Sequence, residues 1–378
     1  MKIGYIHNTY LDKRSYLYIV NKDIQFVRVP DLCKLGSYLG FKMFKNIWSF
    51  LQNSYSGISP YTYDVLHLFN GISLSSKPWV SSFEDRVPRL GRVPKCFEDF
   101  AVKRLAHSSC KKLIAISENA AVIQRSYLER EYPLLADKIL EKLIVIPPQQ
   151  KLFRRKVVDR VAPSNKIVFT FVGRQFFRKG GLEVLKVFEK ICLEYSHCEL
   201  NLVSILETDQ YATSTNSDDV EKVKYIIKNT PNNIIHHNSL NNEEVIKLLN
   251  SSHVALLPTH DDSYGFSVLE AQACGTPVIT TDIKALNEIN NNECGWIIGV
   301  PKDECMKAFI SSSNGRQELR EYIQKGLFNH VLDIIKHPEQ IELKSKKSLD
   351  RVNEFHNPDN LGKKIYNVYK EIFDAENY

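Results

Sequence analysis

Residues 253–282, HVALLPTHDDSYGFSVLEAQACGTPVITTD, constrain the fold more than any other stretch of the chain. An apolar run at 254–258 predicts one buried strand, and a second apolar run at 277–282 predicts another. The segment 266–274 between them has helical character and ends at Gly275, a common helix terminator. Strands that are joined through a helix pair in parallel. The stretch therefore predicts a strand–loop–helix–strand motif of a parallel α/β sheet.

Glu270 is the informative residue of this helix. Helical spacing places it on the same side as Phe266, Leu269 and Ala273, which form the predicted buried stripe. A buried carboxylate needs partners because an unpaired buried charge is strongly disfavoured. The helix begins at 265–267, where backbone N–H groups and the positive end of the helix dipole favour an anion. Two interpretations follow: a structural salt bridge, or a ligand that carries both an anionic part and hydroxyl groups.

Strand patterns alternate with helical patterns along the whole chain, which predicts an α/β fold class. The predicted strands are 1–7, 24–30, 64–69, 79–83, 112–117, 143–147, 166–172, 198–205, 233–238, 254–258, 277–282 and 294–299. The predicted helices are 35–53, 97–109, 118–141, 182–195, 220–230, 241–252 and 266–274, with a helical tail from about 313. Such alternation indicates parallel pairing. We therefore expect two doubly wound, Rossmann-like domains with a central cleft between them.

The domain boundaries follow from a break in this alternation. Residues 148–165 open with proline, carry a basic cluster and end in Pro-Ser-Asn, as is typical of a linker. We assign 1–150 to the N-terminal domain, 151–165 to the linker and 166–352 to the C-terminal domain. The last helix, within 357–378, has an apolar face, and we expect it to return and complete the N-terminal domain.

Composition excludes several classes of protein. A chain of 378 residues with 43% hydrophobic residues has core material for two domains. Its eight cysteines are scattered, which favours reduced thiols over disulfides or a zinc site. The N-terminus becomes polar too early for a signal peptide, and no apolar run approaches transmembrane length. We therefore expect a cytoplasmic protein that is soluble or peripheral on the inner face of the cell membrane.

The net charge of +6 is unevenly distributed. The segment from Arg86 to Lys112, which we call the basic block, contains eight Lys or Arg against Glu98 and Asp99. Such a block suits an anionic membrane surface, and equally a solvated face that keeps the protein soluble. No recognition-helix, RRM or zinc-finger pattern accompanies it, so we expect no nucleic-acid partner.

The first loop of the C-terminal domain, in VGRQFFRKGG, carries two cations. Gly173 allows a sharp turn, and Arg174 and Lys179 present a guanidinium and an ammonium about one loop apart, a combination suited to a diphosphate. This loop and the loop at 260–266 both follow strands of one sheet, so they can face the same cleft. A ligand with a diphosphate, a ribose diol and a sugar would satisfy this loop, the helix start and Glu270 together.

These two motifs, VGRQFFRKGG and ALLPTHDDSYGFSVLEAQACGTPVITTD, resemble the large retaining glycosyltransferase family 4, whose fold is of the GT-B type. The resemblance is strong over about 166–300, and it is fainter in KLIAISENAAVI (112–123) and KLIVIPPQQ (142–150). It implies a nucleotide-sugar-binding C-terminal domain and an acceptor-side N-terminal domain.

The resemblance also implies roles for individual residues. It implies that Arg174 and Lys179 bind the donor diphosphate and that Glu270 binds the nucleotide ribose. Asp262, the first acid of the family's Glu-x7-Glu pair, would contact the donor sugar. The donor-binding backbone would come from Gly173 and from Gly265, Phe266 and Ser267.

Two loops depart from the family pattern. Asp262 stands where the family usually has Glu, so its carboxylate reaches about one methylene less far. The loop after the first strand, Asn8-Thr9-Tyr10, lacks the family's Gly-Gly pair, and it also lacks G-x-G-x-x-G, so a dinucleotide site is not expected there.

A third departure lies after the fourth strand. Many family members have a His-Asp pair there, whereas this chain has Ser-Phe-Glu-Asp-Arg, with Glu84 in the position of the histidine. Glu84 and Asp85 either hydrogen-bond the donor sugar or acceptor, or form structural pairs with Arg86 or Arg89. Glu84 is accordingly a fourth candidate catalytic residue beside Arg174, Lys179 and Asp262.

Three histidines have two interpretations each. His236 and His237 end a strand near the position of the family's nucleotide base, but packing is the favoured interpretation. His260 either reaches the sugar or phosphate or is an ordinary loop residue.

The resemblance implies a hexosyltransferase-type enzyme that retains the anomeric configuration. Its donor substrate would be a nucleotide sugar and its acceptor a glycan or glycolipid of bacterial surface polysaccharide or lipopolysaccharide assembly. No metal and no other cofactor are expected, since adjacent Asp261 and Asp262 side chains diverge in extended backbone. The alternatives are a non-catalytic nucleotide-sugar-binding partner of a glycosyltransferase complex, or a GT-B nucleotide-sugar epimerase.

Overall fold

The computed structural model describes residues 1–19, 21–34, 48–57, 62–91, 93–154, 166–230 and 233–377. The chain forms two compact units. The first unit comprises Met1–Gln149 together with His356–Tyr378, and the second unit comprises Gln150–Phe355. Each unit is built around its own six-stranded sheet, and every strand pairing in both sheets is parallel. The predicted α/β class is therefore confirmed.

All strands predicted from the sequence are present, and the described residues form two short strands in addition. In chain order they are β1 Lys2–Tyr5, β2 Gln25–Arg28, β3 Ser54–Tyr55, β4 Val65–Phe69, β5 Ile72–Ser73, β6 Trp79–Phe83, β7 Cys110–Ala115, β8 Leu143–Val145, β9 Ile167–Gln175, β10 Cys198–Ile205, β11 Ile234–His237, β12 Val254–Leu257, β13 Val278–Thr281 and β14 Trp296–Ile298. The additional strands β3 and β5 form a separate parallel pair.

The helices follow the same order. They are α1 Tyr10–Asp12, continued by a π-helix at Lys13–Leu17, α2 Trp48–Gln52, α3 Lys95–Ala106, α4 Glu118–Glu131, α5 Pro133–Leu140, α6 Gly181–Glu194, α7 Ser217–Asn229, α8 Asn242–Ser251, α9 Phe266–Ala273, α10 Leu286–Ile289, α11 Gly315–Lys336, α12 Gln340–Phe355 and α13 Pro358–Asn377. No helix in these described ranges is long and apolar enough to cross a membrane.

The predicted helical bounds need one correction. The single helix predicted over 118–141 is wrong, because α4 ends at Glu131 and α5 begins at Pro133. Proline lacks the N–H that a helix interior needs, and it is favoured in a first turn. Of the helix predicted over 35–53, the part at 35–47 lies outside the described residues.

The predicted linker is only partly described. Phe153 and Arg154 donate backbone hydrogen bonds to the carbonyl of Ala273, so this end of the segment packs within the second unit. Residues 155–165 lie outside the described residues.

The first sheet has the order β2-β1-β4-β6-β7-β8, and α13 packs against it. The buried face of α13 forms one cluster with apolar side chains of the sheet; its members include Ile3, Val65, Val80, Ile114, Leu361, Ile365, Val368, Tyr369 and Ile372. The C-terminal helix thus belongs to the core of the first unit, although the whole second unit separates the two in sequence.

A buried polar network ties α13 to the same sheet. His67 on β4 is fully buried, with its Nδ1 2.6 Å from the Tyr369 hydroxyl and its Nε2 2.8 Å from Ser82 Oγ. The ring of Tyr16 stacks on His67 at 3.8 Å, and the Tyr16 hydroxyl donates to Asp12 at 2.8 Å. We call the four residues His67, Tyr369, Ser82 and Tyr16 the His67 network.

The second sheet has the order β11-β10-β9-β12-β13-β14. Strands β12 and β13 are buried along their whole length, as is typical of parallel strands that are covered on both faces. The direction in which strands are added reverses between β9 and β12. In a doubly wound sheet, ligands bind outside the carboxyl ends of the strands at such a reversal.

Candidate functional site

The candidate site lies at the carboxyl edge of the second sheet, where β9 and β12 are neighbours. Strand β13 pairs with the other side of β12. Three loops therefore start close together: 176–180 after β9, 258–265 after β12, and 282–285 after β13. Ion pairs link the first and the third of these loops to the second.

Glycine lets the first loop approach the second closely. Gly180 has a left-handed backbone with φ of 85°, and a Cβ there would lie 2.1 Å from the carbonyl oxygen of Pro258. At Gly173 a Cβ would lie 2.8 Å from the Cβ of Lys179. Since neither position has room for a side chain, both glycines follow from the packing of the loops.

The two predicted diphosphate ligands lie in different environments. Arg174 is exposed, and among the described residues its guanidinium has no hydrogen-bond or ion-pair partner. The Lys179 side chain is 14% exposed, and its Nζ lies 2.6 Å from Oδ2 of Asp262. The same ammonium donates to the carbonyl of Asp261 at 3.4 Å. One cation thus faces solvent, and the other is held by the second loop.

Asp262 uses both carboxylate oxygens for contacts within the protein. Its Oδ2 accepts from Lys179, and its Oδ1 accepts from the backbone N–H groups of Tyr264 and Gly265 at 3.2 and 3.1 Å. Burial alone would raise the pKa of this carboxyl group, but the Lys179 ammonium and the hydrogen bonds hold the pKa below its ordinary value. An aspartate is short enough to reach amides two and three residues ahead. This local turn gives a physical reason for Asp at this position.

The same turn places the start of α9 at the site. Gly265 has φ of 96°, and a Cβ there would lie 2.5 Å from the Leu286 side chain. Helix α9 then begins at Phe266, and its first backbone bond runs from Val268 N–H to Gly265 O at 2.9 Å. The amide of Ser267 precedes that bond. Asp262 is bonded both to Lys179 and to the amide of Gly265, which directly precedes α9. The positive end of the helix dipole therefore lies on the same side of the sheet as Lys179.

Glu270 is buried on α9, with 8% of the residue exposed. Its Oε1 accepts a hydrogen bond from Nδ2 of Asn242, the first residue of α8, at 3.2 Å. This bond comes from a neutral amide. No sequence pattern indicates Asn242, because the two residues lie on different helices.

His260 faces inward and does not reach toward the loop surface. Its Nε2 lies 3.2 Å from Oε1 of Glu183, and the Nε of Arg320 lies 3.8 Å from the same oxygen. Glu183 is 1% exposed; burial would raise the pKa of its carboxyl group, but His260 and Arg320 lower it below its ordinary value. Sequence reasoning missed Glu183 and Arg320. Glu183 could have been found as an acid in the first turn of α6, where the helix dipole favours it.

The adjacent acids 261 and 262 diverge, as predicted. Asp261 Oδ1 lies 2.7 Å from the Nζ of Lys284, whereas Asp262 is paired with Lys179. Lys284 is a further residue that sequence reasoning missed. Within the described ranges, no group of three His, Cys, Asp or Glu is arranged to hold a metal ion.

The histidines at the end of β11 make contacts within the sheet. His236 Nε2 lies 2.9 Å from the carbonyl oxygen of Ser204, and His237 Nε2 lies 3.4 Å from Asn201 Oδ1. These contacts agree with the packing interpretation of both residues.

Glu84 lies in the first unit, directly after β6. Its carboxylate pairs with Arg89, and its side chain is 13% exposed. Its backbone N–H donates to Oδ1 of Asn70 at 3.2 Å, which links the ends of β4 and β6. Of the two interpretations offered for Glu84, the structure displays the ion pair.

The basic block is largely engaged within the first unit. Arg104 donates to the carbonyls of Ser73 and Ser75, Arg86 lies 4.3 Å from the Tyr127 ring centroid, and Lys111 pairs with Glu376 at 2.5 Å. Lys95 pairs with Glu98 and Asp99 at 3.3 and 3.7 Å. Arg92 lies outside the described residues. These contacts give most of the described cations a local partner.

Comparison with solved structures identifies the fold. The chain superposes with a TM-score of 0.63 on a sucrose-phosphate synthase from Thermosynechococcus elongatus, at 14% identity, over 99% of this chain and 100% of the other. It superposes with a TM-score of 0.61 on Anabaena Alr3699/HepE, solved in complex with UDP and glucose, at 12% identity, over 98% and 100% of the two chains. The protein therefore has the GT-B fold, built from two Rossmann-like domains.

Comparison of sequences points to a family for the second unit. Residues 153–326 match the family model of the glycosyl transferases group 1. A capsular polysaccharide biosynthesis glycosyltransferase, CapM of Staphylococcus aureus, is 29% identical over 161 residues, which are 42% of this chain and 40% of the relative. An uncharacterized 41.2 kDa protein in the cps region of Klebsiella pneumoniae is 23% identical over 241 residues, 60% of this chain and 62% of the relative. The match thus spans about half the length of these relatives.

Proposed function

We propose that this protein is a retaining glycosyltransferase that transfers a hexose-type sugar from a nucleotide-diphosphate sugar to a hydroxyl group. One observation carries the proposal: Arg174 at the end of β9, Lys179 in the loop that follows, the N-terminus of α9 and the buried Glu270 all belong to the carboxyl edge of one sheet. That edge is where doubly wound sheets bind ligands. The group 1 family match over 153–326 supports the proposal.

Each element meets one part of such a donor. The exposed guanidinium of Arg174 is suited to bidentate contact with a diphosphate, and Lys179 adds a point charge. The N-terminus of α9, at Gly265 to Ser267, adds backbone donors and a positive dipole end. Glu270 lies one helical turn into α9, where its carboxylate can accept hydrogen bonds from a ribose diol.

The proposed mechanism needs no dedicated side-chain base. As the glycosidic bond to the diphosphate breaks, negative charge develops on the leaving phosphate oxygen. Arg174, Lys179 and the start of α9 stabilise that charge, which is the contribution that most lowers the barrier in such reactions. The acceptor hydroxyl attacks from the same face, and the departing phosphate oxygen takes its proton. The configuration at the anomeric carbon is retained, and no metal or other cofactor takes part.

We place the reaction in surface-polysaccharide or lipopolysaccharide assembly, with a glycan or glycolipid as the acceptor. The support is the resemblance to relatives named for capsular polysaccharide biosynthesis and for a cps region. Cytoplasmic location with peripheral attachment to the inner face of the membrane belongs to the same proposal. Since most cations of the basic block are paired internally, we expect weak attachment. Flotation with liposomes measures it, and equal recovery with and without anionic lipid would contradict it.

A panel of UDP-, GDP- and ADP-sugars tests the activity itself. The purified protein is incubated with each donor, with and without glycan or glycolipid acceptors, and release of the nucleoside diphosphate is measured. We expect release from one donor type that depends on the acceptor, and a product with the anomeric configuration of the donor by NMR. Unchanged rates in EDTA are expected as well. Absence of binding and of release for every donor would overturn the proposal.

A second candidate function is a non-catalytic partner that binds a nucleotide sugar within a glycosyltransferase complex. The pairing of Glu84 with Arg89 favours it, because it engages the carboxylate that stands in the place of the family's histidine. The same panel separates the possibilities. Donor binding without turnover favours the partner, and isomerisation of the donor without transfer favours an epimerase.

A further inference from the structure

Lys284 combines three features that are unusual for a surface loop. It follows β13 with a left-handed backbone, φ of 43°, which costs a residue with a side chain more than it costs glycine. Its side chain is only 4% exposed, and its Nζ lies 2.7 Å from Oδ1 of Asp261. Its backbone N–H donates to the carbonyl of Met306 at 2.7 Å, which fixes the main chain on the other side. The buried ammonium is therefore held in contact with the loop after β12.

The loop that Lys284 contacts is the one that organises the candidate donor site. Asp261 is bonded to Lys284, and the next residue, Asp262, is bonded to Lys179 and to the amides at the start of α9. A second contact from β13 acts on the same loop, since Thr281 Oγ1 donates to the carbonyl of Thr259 at 2.8 Å. The loop is thus fixed from two neighbouring strands, from β9 through Lys179 and from β13 through Lys284.

A buried ion pair is weak evidence for stability, because desolvation of both charges offsets their attraction. It is better suited to fix a conformation, since each buried charge disfavours every arrangement in which it loses its partner. Left-handed backbone at a non-glycine residue is likewise found where the surrounding structure determines it, often beside functional sites. Both properties indicate a role in positioning.

We propose that Lys284 is a positioning residue of the donor site: through Asp261 it holds the 258–265 loop so that Asp262 can orient Lys179 and the start of α9. This inference rests on the proposed function, because it assigns Lys284 to the binding of a donor diphosphate. Lys284 itself does not touch the ligand. Its effect reaches the diphosphate through Asp261, Asp262 and Lys179.

Lys302 provides a matched control. Its Nζ pairs with Asp282, and the two side chains are 19% and 16% exposed. Asp282, like Lys284, belongs to the loop after β13. The variants Lys284→Met and Lys302→Met therefore remove the same charge from two largely buried ion pairs, but only the first pair involves the 258–265 loop. We expect Lys284→Met to weaken binding of the nucleoside diphosphate that the wild type prefers by about tenfold or more. Lys302→Met should change it by less than about twofold.

The double variant Lys284→Met/Asp261→Asn separates positioning from stability. Neutralising both partners removes the unpaired buried carboxylate, so the melting temperature should return toward that of the wild type. Because the tether is still missing, the affinity for the nucleoside diphosphate should remain low. If the affinity recovers together with the melting temperature, the Lys284–Asp261 pair contributes only to stability, and the proposal is overturned.

Amide hydrogen exchange supplies a readout that needs no ligand. Exchange at residues 259–265 should be faster in Lys284→Met than in the wild type and in Lys302→Met. Equal exchange in all three proteins would overturn the positioning role. A further outcome is faster exchange in Lys284→Met while the wild type binds none of UDP, GDP and ADP. That result would support control of the loop by Lys284, but it would refute both the role of the loop in donor binding and the proposed function.

Discussion

The two units each bury a polar network, and the networks differ in charge. In the second unit, the loops at the carboxyl edge are held by the ion pairs Lys179–Asp262 and Lys284–Asp261. In the first unit, the centre of the His67 network is neutral: His67 bonds to two hydroxyl groups and stacks on Tyr16. Burial lowers the pKa of His67 to about 3, so its imidazole is uncharged at neutral pH.

The difference indicates what each network is for. Buried charges are costly, and a protein keeps them where another charge has to be met or where one conformation must be selected. A neutral network satisfies buried polar atoms at lower cost and serves to join elements, here α13 to the first sheet. We therefore expect substitutions in the charged network to change ligand binding and turnover, and substitutions in the neutral network to change stability.

The largest effect is expected at Arg174. Replacing it with alanine removes a cation that faces solvent and has no described partner, so the folded state should lose little. The transition state should lose the charge that stabilises the leaving diphosphate, and kcat should fall by about 10²–10³-fold. Steady-state kinetics with the preferred donor measures this.

Lys222→Ala is the control for charge. Lys222 is also exposed, its side chain being 74% accessible, and it lies on α7 near Asp219. Turnover should be unchanged in that variant. A comparable loss of kcat in both variants, or none in Arg174→Ala, would refute the assignment of Arg174 to the diphosphate.

The next effect is expected at Glu270. Glu270→Gln keeps the shape of the side chain and an acceptor oxygen for Asn242, but it removes the charge. Hydrogen bonds to a charged group contribute about 1.5–3 kcal/mol, so the affinity for the nucleoside diphosphate should fall by about 10–100-fold. Isothermal titration calorimetry measures this directly.

Glu84→Gln is the matched variant in the first unit. It should leave the affinity for the nucleoside diphosphate unchanged and alter only acceptor-dependent turnover. If Glu270→Gln binds as tightly as the wild type while its melting temperature is unchanged, the ribose assignment is wrong.

The sequence predicts the charged network only in part. Arg174, Lys179 and Asp262 could be found because they belong to short motifs with a resemblance to a known family. Lys284 could not, because its partner Asp261 lies 23 positions earlier and no periodicity relates β13 to the loop after β12. The pairing depends on which strands are neighbours, and strand order is not visible in local sequence.

The fold shows the same division. The sequence predicts the long strands and most helices, because each has its own periodicity. It does not predict β3 and β5, which are two residues long and pair with each other. The break between α4 and α5 could have been predicted from Pro133, since proline favours a first turn over a helix interior. The His67 network joins residues 67 and 369, a separation that no local pattern spans.

The smallest effect is expected from the protonation of His67, and it concerns only the stability of the first unit. In the unfolded chain its imidazole titrates at its ordinary pKa of 6.5, and in the folded protein at about 3. Between these values the unfolded chain binds more protons, so the stability of the first unit should fall as the pH falls from 6.5 toward 3. Each pH unit in that window costs about 1.4 kcal/mol, which amounts to about 2 kcal/mol at pH 5.

Urea unfolding at pH 5 and pH 7, followed by tryptophan fluorescence, measures the stability of the first unit. The experiment uses a Trp296→Phe background, because the remaining tryptophans, Trp48 and Trp79, belong to the first unit. His67→Gln is the control, because it removes the titrating group. The variant should be less stable at pH 7, since it disturbs the bonds to Tyr369 and Ser82, but its loss between pH 7 and pH 5 should be smaller by about 2 kcal/mol. Equal losses in both proteins would show that the imidazole does not stay neutral in the folded state, and the contrast between a charged and a neutral network would then fail.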